Sequence, residues 1–519
     1  MIEPGATVVL AVDAGALGRW VIWLAEALEK QFRARVSVTV AESPADSSAL
    51  ATLLSLEALL LRPGRQGGAD RMSRGELAGR FPAASASRAD VVIDLTAEGI
   101  ETKAARLRPL YNGHAGENAL AAALFFEGTP SIVIERFPPG ADRGQVVAHG
   151  VASLEAAAGI GGGIEAVSSR VITLILKALS SEGGSGVPGA AAGATGKVRA
   201  IGRKDVLLHS AKSVARQAVR AAYRLCCHGS HWRVGWRFAE PGQDVWSRRD
   251  LGGVGWNVLA DPVDHFYADP FPFHWKGRDF LFFEDLDYKT GKGVISVVTF
   301  DATGRPGPTT TVLEEPWHLS YPFLIEWNGD VWMIPESSAN RDIAIYRAVD
   351  FPLKWERHAV LLSGIEAADA TIIDHQGLLW MFAVVRDGVG GYSDTLALWS
   401  ATDLFGPWRA HPGNPVLVDD RVARPAGNMV HSGGKLYRPV QDCRHAYGAA
   451  LNFMRVTRLD ETGFDQQLEG AIGPGPAWPG RRLHTLNYNG RLEAIDGFVV
   501  RPRLKPAADL VDSWFKPKV

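Results

Sequence analysis

Apolar residues fall in two different patterns along the chain, and the pattern changes after about residue 180. In the first part, runs at 7–12, 36–40 and 91–95 have the length and β-branched content of buried strands, while 19–32, 118–126 and 164–179 carry helical spacing. Gly15 and Gly18 separate the first run from the first helix, a β-α opening. That order predicts a small parallel sheet flanked by helices, an α/β, Rossmann-like domain over residues 1–180. In the second part, short apolar runs alternate with turn signals, and fourteen of the sixteen tryptophans lie beyond residue 230, so a core of another kind is expected there. Residues 183–196 hold no charge and almost no bulky side chain, which marks a flexible linker over 181–198.

The second part repeats one pattern five times. The segments are Ala268-Asp269-Pro270-Phe271 to Glu284, Ser320-Tyr321-Pro322-Phe323 to Glu336, Ala368-Asp369-Ala370-Thr371 to Val384, Ala423-Arg424-Pro425-Ala426 to Gln441, and Leu483-His484-Thr485 to Gly497. In each, a distinctive residue heads an apolar run, a turn glycine follows (Gly277, Gly329, Gly377, Gly434, Gly490), and a second run ends seven residues after that glycine. Turns such as Trp327-Asn328-Gly329-Asp330 and Tyr488-Asn489-Gly490-Arg491 are hairpin signals. The heads lie 52, 48, 55 and 60 residues apart, room for the four strands of a propeller blade. Five repeats predict an all-β five-bladed β-propeller over 229–519 in preference to a β-sandwich, with ring closure removing exposed edges.

Because the innermost strand of every blade lines the axis, the repeat collects its chemistry in one place. The heads contribute Asp269, Tyr321, Asp369, Arg424 and His484; the hairpin ends contribute Glu284, Glu336, Val384, Gln441 and Gly497 on the same face. An apolar core would not take four carboxylates, since unpaired buried charge is costly. The plainer alternative has Arg424 pair with the acids and fasten the blades.

With 46% hydrophobic and 22% charged residues and a net charge of −2, the chain is neither a disordered nor a generally nucleic-acid-binding one. Met1-Ile2-Glu3-Pro4 lacks the basic start of a signal peptide and no run reaches the ~18 apolar residues of a membrane span, so a cytoplasmic location is expected. Cys226, Cys227 and Cys443 are too few and too irregularly spaced for a disulfide framework or a zinc site. No loop carries a dedicated ligand spacing, so no metal or other cofactor is expected, with calcium among the axial acids as the alternative. Between residues 197 and 227 eight basic residues face the single acid Asp205, which predicts a basic connecting helix over 199–228. It is read either as a solvated connector or, through Val214, Val219, Ala222 and Leu225, as a peripheral contact with anionic lipid.

The element order of the first domain resembles the formyltransferase-like fold. Those enzymes use an Asn, His and Asp set, and Tyr111-Asn112-Gly113-His114 offers an Asn and a His at another spacing, so a degenerate copy is expected. In the second domain, Asp269 in Ala-Asp-Pro resembles the base or nucleophile of five-bladed glycoside hydrolases of arabinanase-like and fructosidase-like type. Asp369 in Asp-Ala-Thr resembles their transition-state-stabilising aspartate. Residues from about 232 to 497, with Ser320-Tyr321-Pro322-Phe323 and Met333-Ile334-Pro335-Glu336-Ser337, are similar to the N-terminal propeller domain of plant glucosamine inositolphosphorylceramide transferases and bacterial relatives. The latter resemblance implies a role in glycan or glycolipid assembly. In the plant proteins a glycosyltransferase domain follows the propeller, whereas this chain ends at Val519.

The hydrolases place their acid glutamate in a middle blade, yet blade three ends in Val384 and blade four in Gln441. Glu336 is therefore the candidate acid and Glu284 the second, beside Asp269 as base and Asp369 as stabiliser. Glu284, Tyr321, Arg424, Gln441 and His484 would orient a sugar. The expected partner is a glycan or glycolipid, and three readings stand. They are glycosidase-like hydrolysis, glycosyl transfer or phosphorolysis with Arg424 and His484 on a phosphate, and glycan binding without catalysis.

Overall fold

The computed structural model describes residues 2–42, 48–61, 65–83, 86, 89–180, 197–478 and 480–514. They divide into two compact units, Met1–Arg216 with Asp387–Gly391, and Gln217–Arg386 with Tyr392–Val519. Residues 181–196 of the expected linker lie outside the described residues. The predicted basic helix is present as Arg203–Cys226.

In the first unit the main sheet runs in the order Arg35–Ala41, Thr7–Asp13, Val91–Asp94, Ala105–Tyr111, Ser131–Phe137, Gln145–Val151. The first four strands pair in parallel and the last two join antiparallel. The sheet is thus mixed, where the sequence predicted a parallel one. Val8, Val9, Leu10 and Ile93 at its centre are fully buried, while Ser131–Phe137 and Gln145–Val151 carry half-open positions. The parallel edge strand Arg35–Ala41 is half open as well, so both edges of the sheet are partly uncovered. Trp20–Phe32, Glu117–Phe126 and Gly159–Ser180 lie on the predicted helical stretches.

Asn112, at φ 48°, is committed to a turn: its side chain accepts the Ser131 amide at 2.8 Å and donates to Glu127 at 2.7 Å. With the mixed sheet, that leaves the formyltransferase resemblance without support. Gly159–Ser180 is long and apolar enough to cross a membrane, contrary to the expectation that no run reaches that length, yet 78% of its apolar stretch is buried within the protein. The Glu57 carboxylate accepts the Gly161 amide in its first turn at 2.8 Å, and a Cβ on Gly159 would lie 2.5 Å from that carboxylate.

The second unit is a five-bladed propeller. Blade one is His265–Trp275, Arg278–Asp287, Lys292–Thr299 and Thr310–Leu313; blade two is Ser320–Trp327, Asp330–Glu336, Asp342–Asp350 and Lys354–Ser363. Blade three begins with Ala367–His375, Leu378–Val385 and Thr395–Ala401, and blade four comprises Val430–Ser432, Lys435–Asp442, Ala450–Asp460 and Gly463–Ile472. The inner hairpins turn where the glycines said they would. At Lys276-Gly277, Asn328-Gly329, Gln376-Gly377 and Gly433-Gly434 both central residues have positive φ, the turn whose twist matches that of paired strands. Apolar layers fill the space between blades, as where Phe271 and Phe282 meet Tyr321, Phe323 and Met333.

Blade five is built from both ends of the unit. Leu486–Tyr488 and Leu492–Phe498 are completed by Trp232–Phe238 and Asn257–Val258, with Leu492 opposite Phe238 and Phe498 opposite Trp232. Gly235 and Gly497 in this blade accommodate Trp478, since a Cβ on either would stand 2.6 or 2.2 Å from its indole. A fully buried ion pair locks the closure: Arg237 reaches Glu493 at 2.7 Å and donates to the Gly252 and Val254 carbonyls at 2.6 and 2.8 Å. The second Glu493 oxygen accepts the Val245 amide at 2.7 Å. Replacing one member leaves the other charge buried and unpaired. Arg237→Met is expected to lower the unfolding free energy by about 3–5 kcal/mol, read from the denaturant midpoint, and adding Glu493→Leu to restore most of it.

Candidate active site

The heads of blades one to three share an unusual backbone. Asp269, Tyr321 and Asp369 have φ of 50°, 43° and 59°, and the strand register slips between Ala268 and Phe271, Ser320 and Phe323, and Ala368 and Thr371. Each head is thus the extra residue of a bulge in the left-handed region, at a cost of roughly 1–2 kcal/mol for a side chain with a Cβ. Asp269 and Tyr321 also precede proline, which narrows their choice further. Three such residues around one axis are where strain accompanies a site, provided the surroundings over-determine them.

The surroundings do so through links from blade to blade. Asp269 accepts the Tyr321 amide at 3.3 Å and the Thr485 hydroxyl at 2.7 Å, while its own amide donates to Asp496 at 2.9 Å. The Tyr321 hydroxyl accepts the Gly427 amide at 2.8 Å and lies 2.9 Å from the Thr371 hydroxyl. Asp369 receives Arg424 at 2.6 and 3.4 Å and the Gln441 amide at 3.4 Å. Arg424 also stacks over the Tyr447 ring at 4.7 Å. The arginine therefore does fasten blades three and four, as the plainer reading had it. Tyr321, fully buried with both sides of its hydroxyl spent, is a fastener as well.

Two acids stand differently. Glu284, opposite Ala268, has among the described residues His318 beside it at 3.3 Å, and His318 Nδ1 accepts the Gly293 amide, which leaves Nε2 to face the carboxyl. Burial, then the charges of Asp269, Glu336, Asp496 and Asp369, push Glu284 well above the usual carboxylate range. Glu336 accepts the Ser320 hydroxyl at 3.0 Å and the Ser338 amide at 2.7 Å.

Burial raises Asp269 and Asp369 too. Asp369 reaches about 6 even though Arg424 opposes the shift, and Asp269 is held back chiefly by His484. Burial alone would lower His484, but Asp496 and Asp269 outweigh it and raise the imidazole above its ordinary value. Its Nδ1 lies 2.6 Å from Asp496 and its Nε2 3.5 Å from Asp269, and Trp232 stacks on the ring at 4.0 Å.

All eight residues singled out from the sequence lie about the axis, each less than a tenth exposed. The sequence reading missed Asp496, His318, Tyr447 and Trp232. Asp496 stands six residues after Gly490, so counting seven lands on Gly497, whose bare backbone makes room for Trp478. The Ile495-Asp496-Gly497 acid inside an otherwise apolar run was the available signal. Asp269, His484 and Asp496 also offer ligand atoms within 4.8 Å of one another, the set among the described residues that could hold a metal ion. With both ring nitrogens turned toward carboxylates, however, the trio suits a protonated imidazole, and a cation would require that proton to leave.

The folded chain holds the Asp369 proton to a higher pH than the unfolded chain does. Its contribution is therefore fully present below the ordinary value of 3.8 and is lost as pH rises to about 6. Asp369→Asn imitates the protonated form. The stability of the wild type relative to this variant is expected to fall as pH is raised through that window, measured by denaturant unfolding at matched pH values.

Comparison with known sequences finds similarity over part of this unit. Residues 259–495 match the family described as Glucosamine inositolphosphorylceramide transferase 1, N-terminal. Glucosamine inositolphosphorylceramide transferase 1 of Oryza sativa subsp. japonica is 32% identical over 233 residues, 43% of this chain and 31% of the relative. That of Arabidopsis thaliana is 32% identical over 229 residues, 42% and 30% of the two chains. The aligned region thus spans about a third of the length of the curated relatives. Among solved structures, Zg3597, a family 117 glycoside hydrolase of Zobellia galactanivorans, superposes at a TM-score of 0.34 and 12% identity, over 51% of this chain and 90% of that one. The propeller resembles the N-terminal domain of the glucosamine inositolphosphorylceramide transferases, within a chain whose first unit lies outside the match.

Proposed function

We propose that the propeller axis is an acid/base site acting on a glycan or glycolipid. The observation that carries this reading is Glu284, a buried carboxyl pushed to hold its proton beside carboxylates that are better partnered. Two carboxyls driven apart in proton affinity are what glycosidic bond cleavage requires. Glu284 is the acid favoured by this environment over Glu336, the first choice from sequence. It donates its proton to the leaving oxygen as the bond to the anomeric carbon breaks. Asp269 takes a proton from the incoming water as the new carbon–oxygen bond forms, and Asp369, held in place by Arg424, faces the developing positive charge. Asp496 is a positioning residue: it strengthens the hold of His484 on its proton, and His484 opposes the rise that burial imposes on Asp269.

A second reading replaces water by an acceptor hydroxyl, so that the same proton movements give glycosyl transfer. The relatives named as transferases favour it. Glycan binding without turnover is the third, favoured by the inward bonding of Tyr321 and Arg424.

The test is turnover of a panel of glycans and glycolipids, with and without acceptor. Glu284→Gln and Asp269→Asn are each expected to lower kcat at least ~100-fold, as for loss of a general acid or base. Asp496→Asn should move the lower limb of the pH profile, because Asp496 acts both on the His484 proton and on the Asp269 carboxyl. Full turnover in Glu284→Gln would remove it as the acid, and binding without any product in the wild type would leave the third reading.

A further inference from the structure

The helix Arg203–Cys226 has its faces reversed relative to an ordinary surface helix. Val206 is its one buried residue, and the half-buried positions are mostly polar ones such as His209, Ser213 and Tyr223. His209 stacks against Phe125 at 4.9 Å and lies 3.4 Å from Glu57, so a polar edge is turned toward protein. The leucines and valines point outward. Leu207, Leu208, Val214, Val219 and Leu225 are 59–80% exposed. At about 3.6 residues per turn, Leu207, Val214 and Leu225 fall on one line, with Leu208 and Val219 beside it on the same half of the helix. The small residues Ala211, Ala215, Ala218 and Ala222 fill the strip between them, all exposed.

The opposite face carries fixed positive charge. Lys212 stands at the edge of the strip and Arg216, Arg220 and Arg224 follow on the polar face, all exposed, while the helix's lone acid, Asp205, is drawn to the start of the helix, where it accepts the Gly202 amide at 2.9 Å and meets Arg199 at 3.1 Å. A neighbouring helix of the first unit, Ser48–Leu61, whose Glu57 meets His209, adds exposed Leu59 and Leu60. A protein partner would have to match both a long apolar strip and a row of cations. The interface of an anionic bilayer offers both at once, acyl chains below and phosphate or carboxylate charge at the level of the snorkelling lysine and arginine ends.

We infer that Arg203–Cys226 lies in the interface of anionic membranes, with Leu207, Leu208, Val214, Val219 and Leu225 among the acyl chains and Lys212, Arg216, Arg220 and Arg224 on the headgroups. The inference rests on exposure and charge alone and stands whether or not the propeller turns over a sugar. The full chain is expected to co-sediment with phosphatidylcholine vesicles containing about one-third phosphatidylserine, to stay in solution with phosphatidylcholine alone, and to be released by high salt. The triple variant K212Q/R216Q/R220Q should weaken partitioning about a hundredfold. Leu208→Ser with Val219→Ser should weaken it too while leaving circular dichroism and the melting curve unchanged, because both side chains already face solvent. Failure to sediment with the anionic vesicles, equal binding to neutral ones, or variants that bind like the wild type would overturn it. So would a dimer in sedimentation velocity that Leu208→Ser with Val219→Ser abolishes, since the strip would then belong to a second copy.

Discussion

The pairing of Trp232–Phe238 with Leu492–Phe498 is the constraint on which the propeller and its site depend. It joins positions 256 residues apart at Arg237 and Glu493 and turns five sheets into a ring. Without it the last inner hairpin would have no reason to lie beside the first. Asp496 would not reach the Asp269 amide, nor His484 the Asp269 carboxylate. Loop-closure entropy grows only slowly with length, so this connection costs little more than a short one. The desolvated Arg237–Glu493 pair then makes its register specific, because any slip would strand both charges.

Concentrating acids on the axis sets the ring's stability against its chemistry. Each buried carboxylate loses hydration, and the protein compensates unevenly. Asp369 has a guanidinium, Asp269 two N–H or O–H donors and an imidazolium, and Asp496 three backbone amides. Glu284 has, among the described residues, the His318 imidazole beside it, and burial pushes its carboxyl well above the usual range.

Much of the propeller was legible because repetition and turn geometry report on each other. The glycines at 277, 329, 377 and 434 were read as hairpin turns and adopt the positive φ that such turns need. The heads and ends of the repeats lie about one axis because strand pairing fixes Ala268 opposite Glu284 and Ser320 opposite Glu336. What escaped the reading depends on contacts between remote segments. Gly497 was counted as a site position, but it is glycine because Trp478 covers it, and the acid that matters is its neighbour Asp496. The bulges at 269, 321 and 369 leave no composition signal beyond two prolines. In the first unit, the three apolar runs read as strands do pair in parallel, and the sheet is mixed because Ser131–Phe137 and Gln145–Val151, which the sequence reading did not name as strands, join it antiparallel.

The borrowed strand of blade five has a consequence for biosynthesis. At 5–20 residues per second, roughly 13 to 50 s separate the emergence of Trp232–Phe238 from that of its partner, during which an apolar edge stands ready to pair with any other chain. Arg233 and Arg237 interrupt that segment with charge, and both have acidic companions, Asp261 and Glu493. Asp261 follows within seconds, whereas Glu493 does not arrive until the ring can shut. Until then Arg237 serves as a gatekeeper against aggregation on the ribosome, and the same cation later becomes the clasp.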